Sequence, residues 1–238
     1  MHRLFISDLH LSEDTPEIEA ALNDLLERER DLDSLVILGD FFEAWVGDDD
    51  DSGLAQRIRT VLAKCSSRGC ELMITRGNRD FMLGEQFARE TGATLLGDET
   101  VIDVAGTPTL VLHGDTLCTD DVDYQQFRNL VHDAVWQADM MAKPLEERRE
   151  LARQLRAMSV DAASNKPEDI MDVNPDTVRE RLSASGVETM IHGHTHRPAR
   201  HPLSDLRERI VLGDWHADLP VWVCRTGASG IEFVSLPH

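Results

Sequence analysis

The sequence predicts an α/β fold in which a mainly parallel sheet packs against a second sheet. Three observations predict it. Strand-like and helix-like stretches alternate from residue 3 to residue 75, the pattern turns to short strands after Thr94, and five apolar runs each close on side chains able to ligate a metal. The run that organises the rest is Leu35-Val36-Ile37-Leu38-Gly39-Asp40, an apolar strand delivering a carboxylate through a glycine. Sheets of this kind place their chemistry just beyond the carboxyl ends of strands, which is where Asp40 stands.

Arg3 to Ser7 reads as the first strand, with Asp8-Leu9-His10 as its terminal loop. Thr15 and Pro16 suit an N-cap and first helical position, and Ile18, Ala21, Leu22, Leu25 and Leu26 keep helical spacing to about Arg28. Leu35 to Leu38 is the second strand; Leu54, Ile58, Val61, Leu62 and Cys65 mark the next helix; Glu71 to Thr75 is the third strand, leading to Asn78. Such a βαβαβ alternation implies parallel strands joined by right-handed crossovers. Val101 to Val104 and Thr109 to Leu112 flank a Gly106-Thr107-Pro108 turn and predict a hairpin of the second sheet.

Tyr124, Phe127, Val131, Ala134, Val135, Ala138 and Met141 form the stripe of one long helix, with Trp136 and Met140 beside it. A second helix opens near Pro144 and runs to about Met158, acidic at its start and basic at its end, as the helix dipole favours. Ser159 to Asn174 reads as irregular, Pro175 to Ser185 as helix and Thr189 to His192 as strand. Arg209 to Leu212, Val221 to Arg225 and Ile231 to Leu236 read as closing antiparallel strands.

The 238 residues leave room for one large domain or two small ones. A net charge of −20, from 24 Lys plus Arg against 44 Asp plus Glu, weighs against nucleic acid as a partner. Asp48-Asp49-Asp50-Asp51 reads as a solvated loop, because like charges repel and extend. Arg149, Arg153 and Arg156 share a helical face, which suits either pairing with its own glutamates or a basic surface for phosphate or lipid headgroups. Cys65, Cys70, Cys118 and Cys224 lack zinc-site spacing and read as reduced thiols of a cytosolic protein. The amino terminus enters a strand at once, leaving no signal peptide to expect, and no apolar run approaches the ~20 residues that span a bilayer.

Asp8, His10, Asp40, Asn78, His113, His194 and His196 combine carboxylate, amide and imidazole without thiolate, which suits manganese, iron or zinc. Asp8, His10, Asp40 and His196 could serve one cation, and Asp40, Asn78, His113 and His194 a second. Sharing Asp40 would hold the two about 3.5–4 Å apart, the separation used for in-line displacement at phosphorus. The histidines His2, His132, His192, His201, His216 and His238 receive structural readings. A scaffold that had kept its fold and lost its chemistry would lack one of the seven groups, and none is missing.

The order Asp8-x-His10, Gly39-Asp40, Gly77-Asn78-x-Asp80, His113, Gly193-His194-x-His196 resembles the calcineurin-like metallophosphoesterase superfamily over nearly the whole chain. That resemblance implies a single domain over 1–238 built as two packed mixed sheets flanked by helices. Many members place a histidine after the asparagine as general acid; here Arg79 stands there. Arginine cannot donate a proton at neutral pH but stabilises phosphoryl charge, so the site favours a leaving group that departs unprotonated, as in a pyrophosphate bond.

A second set of motifs is similar to the branch of that superfamily that cleaves a UDP-linked 2,3-diacylated glucosamine in lipid A synthesis. The set is Asp40-Phe41-Phe42-Glu43-Ala44-Trp45 with Gly47-Asp48, Gly77-Asn78-Arg79-Asp80-Phe81, His113 to Cys118, Ile170-Met171-Asp172-Val173-Asn174 and His192 to Pro198. The resemblance implies water attack on the α-phosphorus, release of UMP, two Mn2+ per chain and peripheral contact with the cytoplasmic face of the inner membrane. It also implies a helical insertion over 122–175 capping the site, with Trp136 and Met140 as acyl contacts. Asn78, Arg79 and His113 are implied as catalytic, and Asn78, Arg79, Asp121, Ser159, Lys166 and His194 as substrate contacts. An asparagine contact of the family falls on Ala163 here, with Asn165 as the substitute. The competing readings are a nuclease, cyclic nucleotide phosphodiesterase or dinucleoside polyphosphate hydrolase on the same scaffold, and a non-catalytic binding scaffold.

Overall fold

The structure, a computed structural model, describes residues 1–238 except 165–169, 171, 204, 205, 219, 228, 229, 237 and 238, and gives the backbone alone for 159–164. Strands β1 (Arg3–Ile6), β2 (Ser34–Leu38) and β3 (Glu71–Thr75) are buried apart from Glu71 and pair in parallel, with Leu4 beside Leu35 and Leu35 beside Leu72. Runs apolar on both faces belong in a covered parallel sheet, and helices α1 (Pro16–Arg28) and α2 (Gly53–Ser67) supply the crossovers. The sheet extends to β4 (Ala93–Leu95) on one side. On the other side β10 (Val221–Gly227) pairs antiparallel with β1, and β11 (Gly230–Leu236) follows it.

The second sheet orders β5 (Glu99–Val104), β6 (Thr107–Leu112), β7 (Thr189–His192), β9 (Glu208–Val211) and β8 (Ala199–Pro202). Its β6, β7 and β9 are parallel, and β5 and β8 are antiparallel edges. Strand alternation sorts the core. Leu4, Ile6, Leu35 and Ile37 face α1 and α2; Phe5, Val36, Leu38, Val111 and Ile191 meet between the sheets. Leu110, Leu112 and Met190 pack outward on Val178 and Leu182 of α7 (Pro175–Ser185). The α/β fold of two mixed sheets flanked by helices is therefore as expected, and all four cysteines are buried free thiols.

Several expectations are corrected. The strand around Arg209 pairs antiparallel with β8, as expected, but it also joins β7 in parallel. The hairpin turns at Ala105-Gly106, both with positive φ (54° and 84°), so Thr107 and Pro108 already belong to β6. Two such residues make the tight turn that matches strand twist. The long helix divides into α4 (Val122–Val131) and α5 (Ala134–Met141), because the Asp133 carboxylate accepts from Val135 N and Trp136 N at 3.0 Å and starts a new helix. Helix α6 (Leu145–Ser164) runs on through residues expected to be irregular. No helix among the described residues is long and apolar enough to cross a membrane.

The acidic run is solvated at Asp49 and Asp51, as expected, but all four carboxylates are also bonded. Asp48 accepts from Gly84 N, Gln86 N and Phe87 N, each at 2.9 Å, and from Trp45 Nε1 at 3.1 Å. It thus caps α3 (Glu85–Thr91), whose own N-cap position is a glycine. Asp49 pairs with Arg148, and Asp50 and Asp51 pair with Arg149. On the arginine face, Arg149 reaches Glu146 and Arg153 reaches Glu150, as the self-paired reading expects, whereas Arg156 crosses to Glu43. Replacing Asp48 with alanine strips three backbone donors at once and is expected to lower unfolding free energy by about 2 kcal/mol. Denaturant midpoints measure that loss, and hydrogen exchange should quicken first in α3.

Candidate metal centre

Each donor rides a strand end. Asp8 and His10 follow β1, Asp40 follows β2, Asn78 follows β3, His113 follows β6, and His194 and His196 follow β7. Backbone bonds lock these loops together: Asp8 N donates to Gly39 O at 3.1 Å, His10 N to Asp40 O at 3.0 Å and Gly193 N to His113 O at 2.8 Å. Asp8, His10, Asp40, His194 and His196 all hold positive φ, between 47° and 67°, and Ala105 is the other non-glycine to do so among the described residues. Residues with a Cβ rarely adopt that conformation, and it persists where the surroundings over-determine it, typically at functional sites.

The donor atoms form two groups around Asp40. In one, His196 Nε2 lies 3.4 Å from Asp8 Oδ1 and 3.3 Å from His10 Nε2, and His10 Nε2 lies 4.0 Å from Asp40 Oδ2. In the other, His113 Nε2 lies 3.5 Å from Asp40 Oδ1 and 3.0 Å from Asn78 Oδ1, while His194 Nδ1 lies 2.9 Å from Asn78 Oδ1 and 3.2 Å from His113 Nε2. The two oxygens of one carboxylate thus face different groups. Asp8 accepts the backbone N–H of His194 at both oxygens.

Three imidazoles have an oxygen behind them, which holds His113 and His196 by a hydrogen bond and lies near His10 without one. His113 Nδ1 is 2.9 Å from Leu38 O, His196 Nδ1 is 3.2 Å from Asp214 Oδ2, and His10 Nδ1 is 3.3 Å from Glu43 Oε2. A proton on Nδ1 of His113 and of His196 leaves Nε2 as the lone-pair nitrogen, and the Nε2 atoms of all three rings point inward. Imidazole nitrogens crowded to 3.2–3.3 Å from one another beside two buried carboxylates suit shared cations better than hydrogen bonds among themselves, so these residues fit a dinuclear metal site.

Charge balance agrees. Burial disfavours the His113 imidazolium, yet Asp40, Asp8 and Asp115 push it up to about 9. Desolvation also disfavours the charged form of the more exposed His196, yet Asp214 and Asp8 push it up to about 10. Burial and then His113 push His194 down to about 4. The carboxylates thus call for positive charge, which protons supply until a cation displaces them.

A cavity of about 660 Å³ adjoins both groups, and Asn78, Arg79, Asp121, His194, Trp136 and Met140 are among the residues that line it. Arg79 anchors its backbone N–H on Asp40 Oδ1 at 2.8 Å, and its buried Nε has no protein partner. Asp121 lines the cavity while its Oδ1 caps α4 through Tyr124 N at 3.1 Å. Lys166, Asn165, Met171 and His238 lie outside the described residues, and Ser159 and Ala163 are placed by backbone only. His192 is buried with Nδ1 on Gly193 O at 2.8 Å, as the structural reading expects.

Sequence reasoning gave no role to four groups that shape the site. Asp80, fully buried, accepts Gly77 N at 2.6 Å and Phe41 N at 2.8 Å, and so ties the β3 loop to the residue after Asp40. Glu43 and Asp214 stand behind His10 and His196. Asp115 holds Tyr124 Oη at 2.9 Å and Arg128 Nε at 2.7 Å, and the Tyr124 ring lies 5.9 Å from that of His194. Glu43 had one available signal, its place three residues after Asp40. Asp214 had none.

Residues 1–198 match the calcineurin-like phosphoesterase family, and the chain belongs to it. Within that class it is similar to the UDP-2,3-diacylglucosamine hydrolase of Cellvibrio japonicus, 49% identical over 97% of each chain. The protein of the same description from Marinobacter nauticus is 46% identical over 100% of this chain and 98% of its own. A solved archaeal phosphodiesterase superposes with a TM-score of 0.52 over 99% of this chain and 100% of that one, at 13% identity, a likeness of fold alone.

Proposed function

We propose that the chain hydrolyses the pyrophosphate bond of UDP-2,3-diacylglucosamine by water attack at the α-phosphorus, giving UMP and 2,3-diacylglucosamine 1-phosphate in lipid A biosynthesis. The carrying observation is one cavity with two floors of chemistry: polar donors clustered around Asp40, and an apolar wall of Trp136, Met140 and Leu155. A pyrophosphate joined to an acylated sugar needs both. The similarity to hydrolases of that substrate supports the same reading.

Asp8, His10, Asp40 and His196 would hold one ion and Asp40, Asn78, His113 and His194 the other, with two Mn2+ as the pair. When bound, such a pair supplies Lewis acidity and acidifies a water. The rest falls to the chain. Arg79, whose Nε is unpartnered at the cavity, offsets charge gathering on the phosphoryl oxygens, and the lipid phosphate departs as an anion without a proton. His113 and Asn78 keep the reacting phosphoryl group in register, and Asp121 and His194 border the space for the sugar nucleotide. Ser159 and Lys166 are proposed as further substrate contacts.

The chain is read as a single domain in which 122–175 caps the site. Exposed Val122, Leu130, Val135 and Met158 on α4, α5 and α6 support peripheral contact with the cytoplasmic face of the inner membrane. The test is hydrolysis in oxygen-18 water with manganese: label is expected in UMP, and label in the lipid product overturns the mechanism. Arg79→Ala is expected to lower kcat by about 10²–10³-fold with two ions still bound, since one lost charge-stabilising donor costs that much.

A further inference from the structure

We propose that Arg148 is a positioning residue for the acylated end of the substrate, clasping the helices that wall the apolar side of the cavity onto the segment that follows Asp40. The inference rests on the function proposed above. Arg148 is on α6, at 2% exposure, among the largest side chains the protein buries completely. A buried guanidinium is costly unless its donors are used, and these bridge two parts of the chain.

On its own side, Arg148 Nε donates to Lys143 O at 3.1 Å, fixing the turn between α5 and α6. Across the gap, Nη1 donates to Val46 O at 2.6 Å and to Asp49 Oδ1 at 2.8 Å, and Nη2 reaches Asp49 Oδ2, a forked pair. The slot admits nothing else at its base: Gly47 has φ 134°, and a Cβ there would lie 2.4 Å from Arg148 Nη1. Both ends that it joins line the cavity. Trp45 and Val46 belong to the core segment between Asp40 and Asp49, while Met140, Leu155 and Arg156 belong to the helices.

Arg153, by contrast, makes an exposed pair with Glu150 on its own helix, a kind worth little. Arg148 bonds none of the metal donors, so loosening the clasp should widen the acyl wall while leaving the donor set in place.

The experiment uses the full chain loaded with manganese and compares Arg148→Met, Arg148→Lys, Asp49→Asn and the Arg148→Met/Asp49→Asn pair with wild type. Initial rates are taken against UDP-2,3-diacylglucosamine concentration, alongside bound metal and Tm. Expected is a KM raised by about tenfold in each single variant with kcat within about twofold and two ions retained, the pattern of lost binding. The double variant should be no worse than the worse single, because both remove one interaction. Lysine should not restore KM, since it cannot form the fork.

An unchanged KM, additive single effects, or a fall in kcat at constant KM overturns the role. If Arg148→Met does not fold, Asp49→Asn decides, because its side chain is 53% exposed and tolerates the change. A wild-type enzyme inactive on this substrate overturns both the function and the clasp, whereas an active one with unaltered variants overturns the clasp alone.

Discussion

Asp40→Ala is expected to abolish turnover, by more than about 10³-fold, beyond the ~10–100-fold that loss of a group behind a ligand costs. Its two oxygens face different donor groups, Oδ2 toward His10 and Oδ1 toward His113, so one truncation would open both proposed ion positions. Bound divalent metal should fall from two ions per chain to one or none on equilibrium dialysis. The Tm rise that saturating manganese gives wild type should shrink with it, because binding to the native state stabilises by about 2.7 kcal/mol at 100 times Kd. An Asp40→Ala enzyme that keeps its turnover would falsify the shared-carboxylate assignment.

Gly77→Ala should do nearly as much damage with a single methyl. A Cβ at Gly77 would stand 2.2 Å from Asp40 Oδ1 and 2.3 Å from Asp40 N, and the latter is backbone that cannot swing aside. Gly39 faces it, its own Cβ position lying 2.8 Å from Gly77 Cα, so the loops after β2 and β3 touch main chain to main chain. Parting them moves Asn78 away from Asp40, and a displacement near 1 Å costs about 10²-fold in rate. Overpacking adds about 1–3 kcal/mol of destabilisation. Steady-state kinetics and denaturant midpoints read the two effects separately; wild-type kcat in this variant contradicts the packing argument.

Most of the frame was legible because strands buried on both faces leave uninterrupted apolar runs, as Leu35 to Leu38 do. The donors were legible because each follows such a run. The features that escaped depend on partners remote in sequence. Helix α3 is seven residues long, and its cap comes from Asp48, 36 residues before Gly84, so no local pattern announces it. The division between α4 and α5 escaped because the apolar period continues across His132-Asp133 while the backbone does not. Asp48 to Asp51 looked like a repelling run since the arginines that neutralise it, Arg148 and Arg149, lie some hundred residues away. Asp214 shows the same limit at the site, where its role exists only through contact with His196.

The placement of β1 bears on how the chain is made. This strand lies inside its sheet, between β2 and β10, and carries Asp8 and His10 at its end. Its β2 side can be matched early in translation, but the other side stays bare until Val221–Gly227 has left the ribosome. At 5–20 residues per second that wait is on the order of 10–40 s, during which an unpaired apolar edge is open to other nascent chains. Holdase chaperones are the expected guests of that interval, and the donor cluster can close only when it ends.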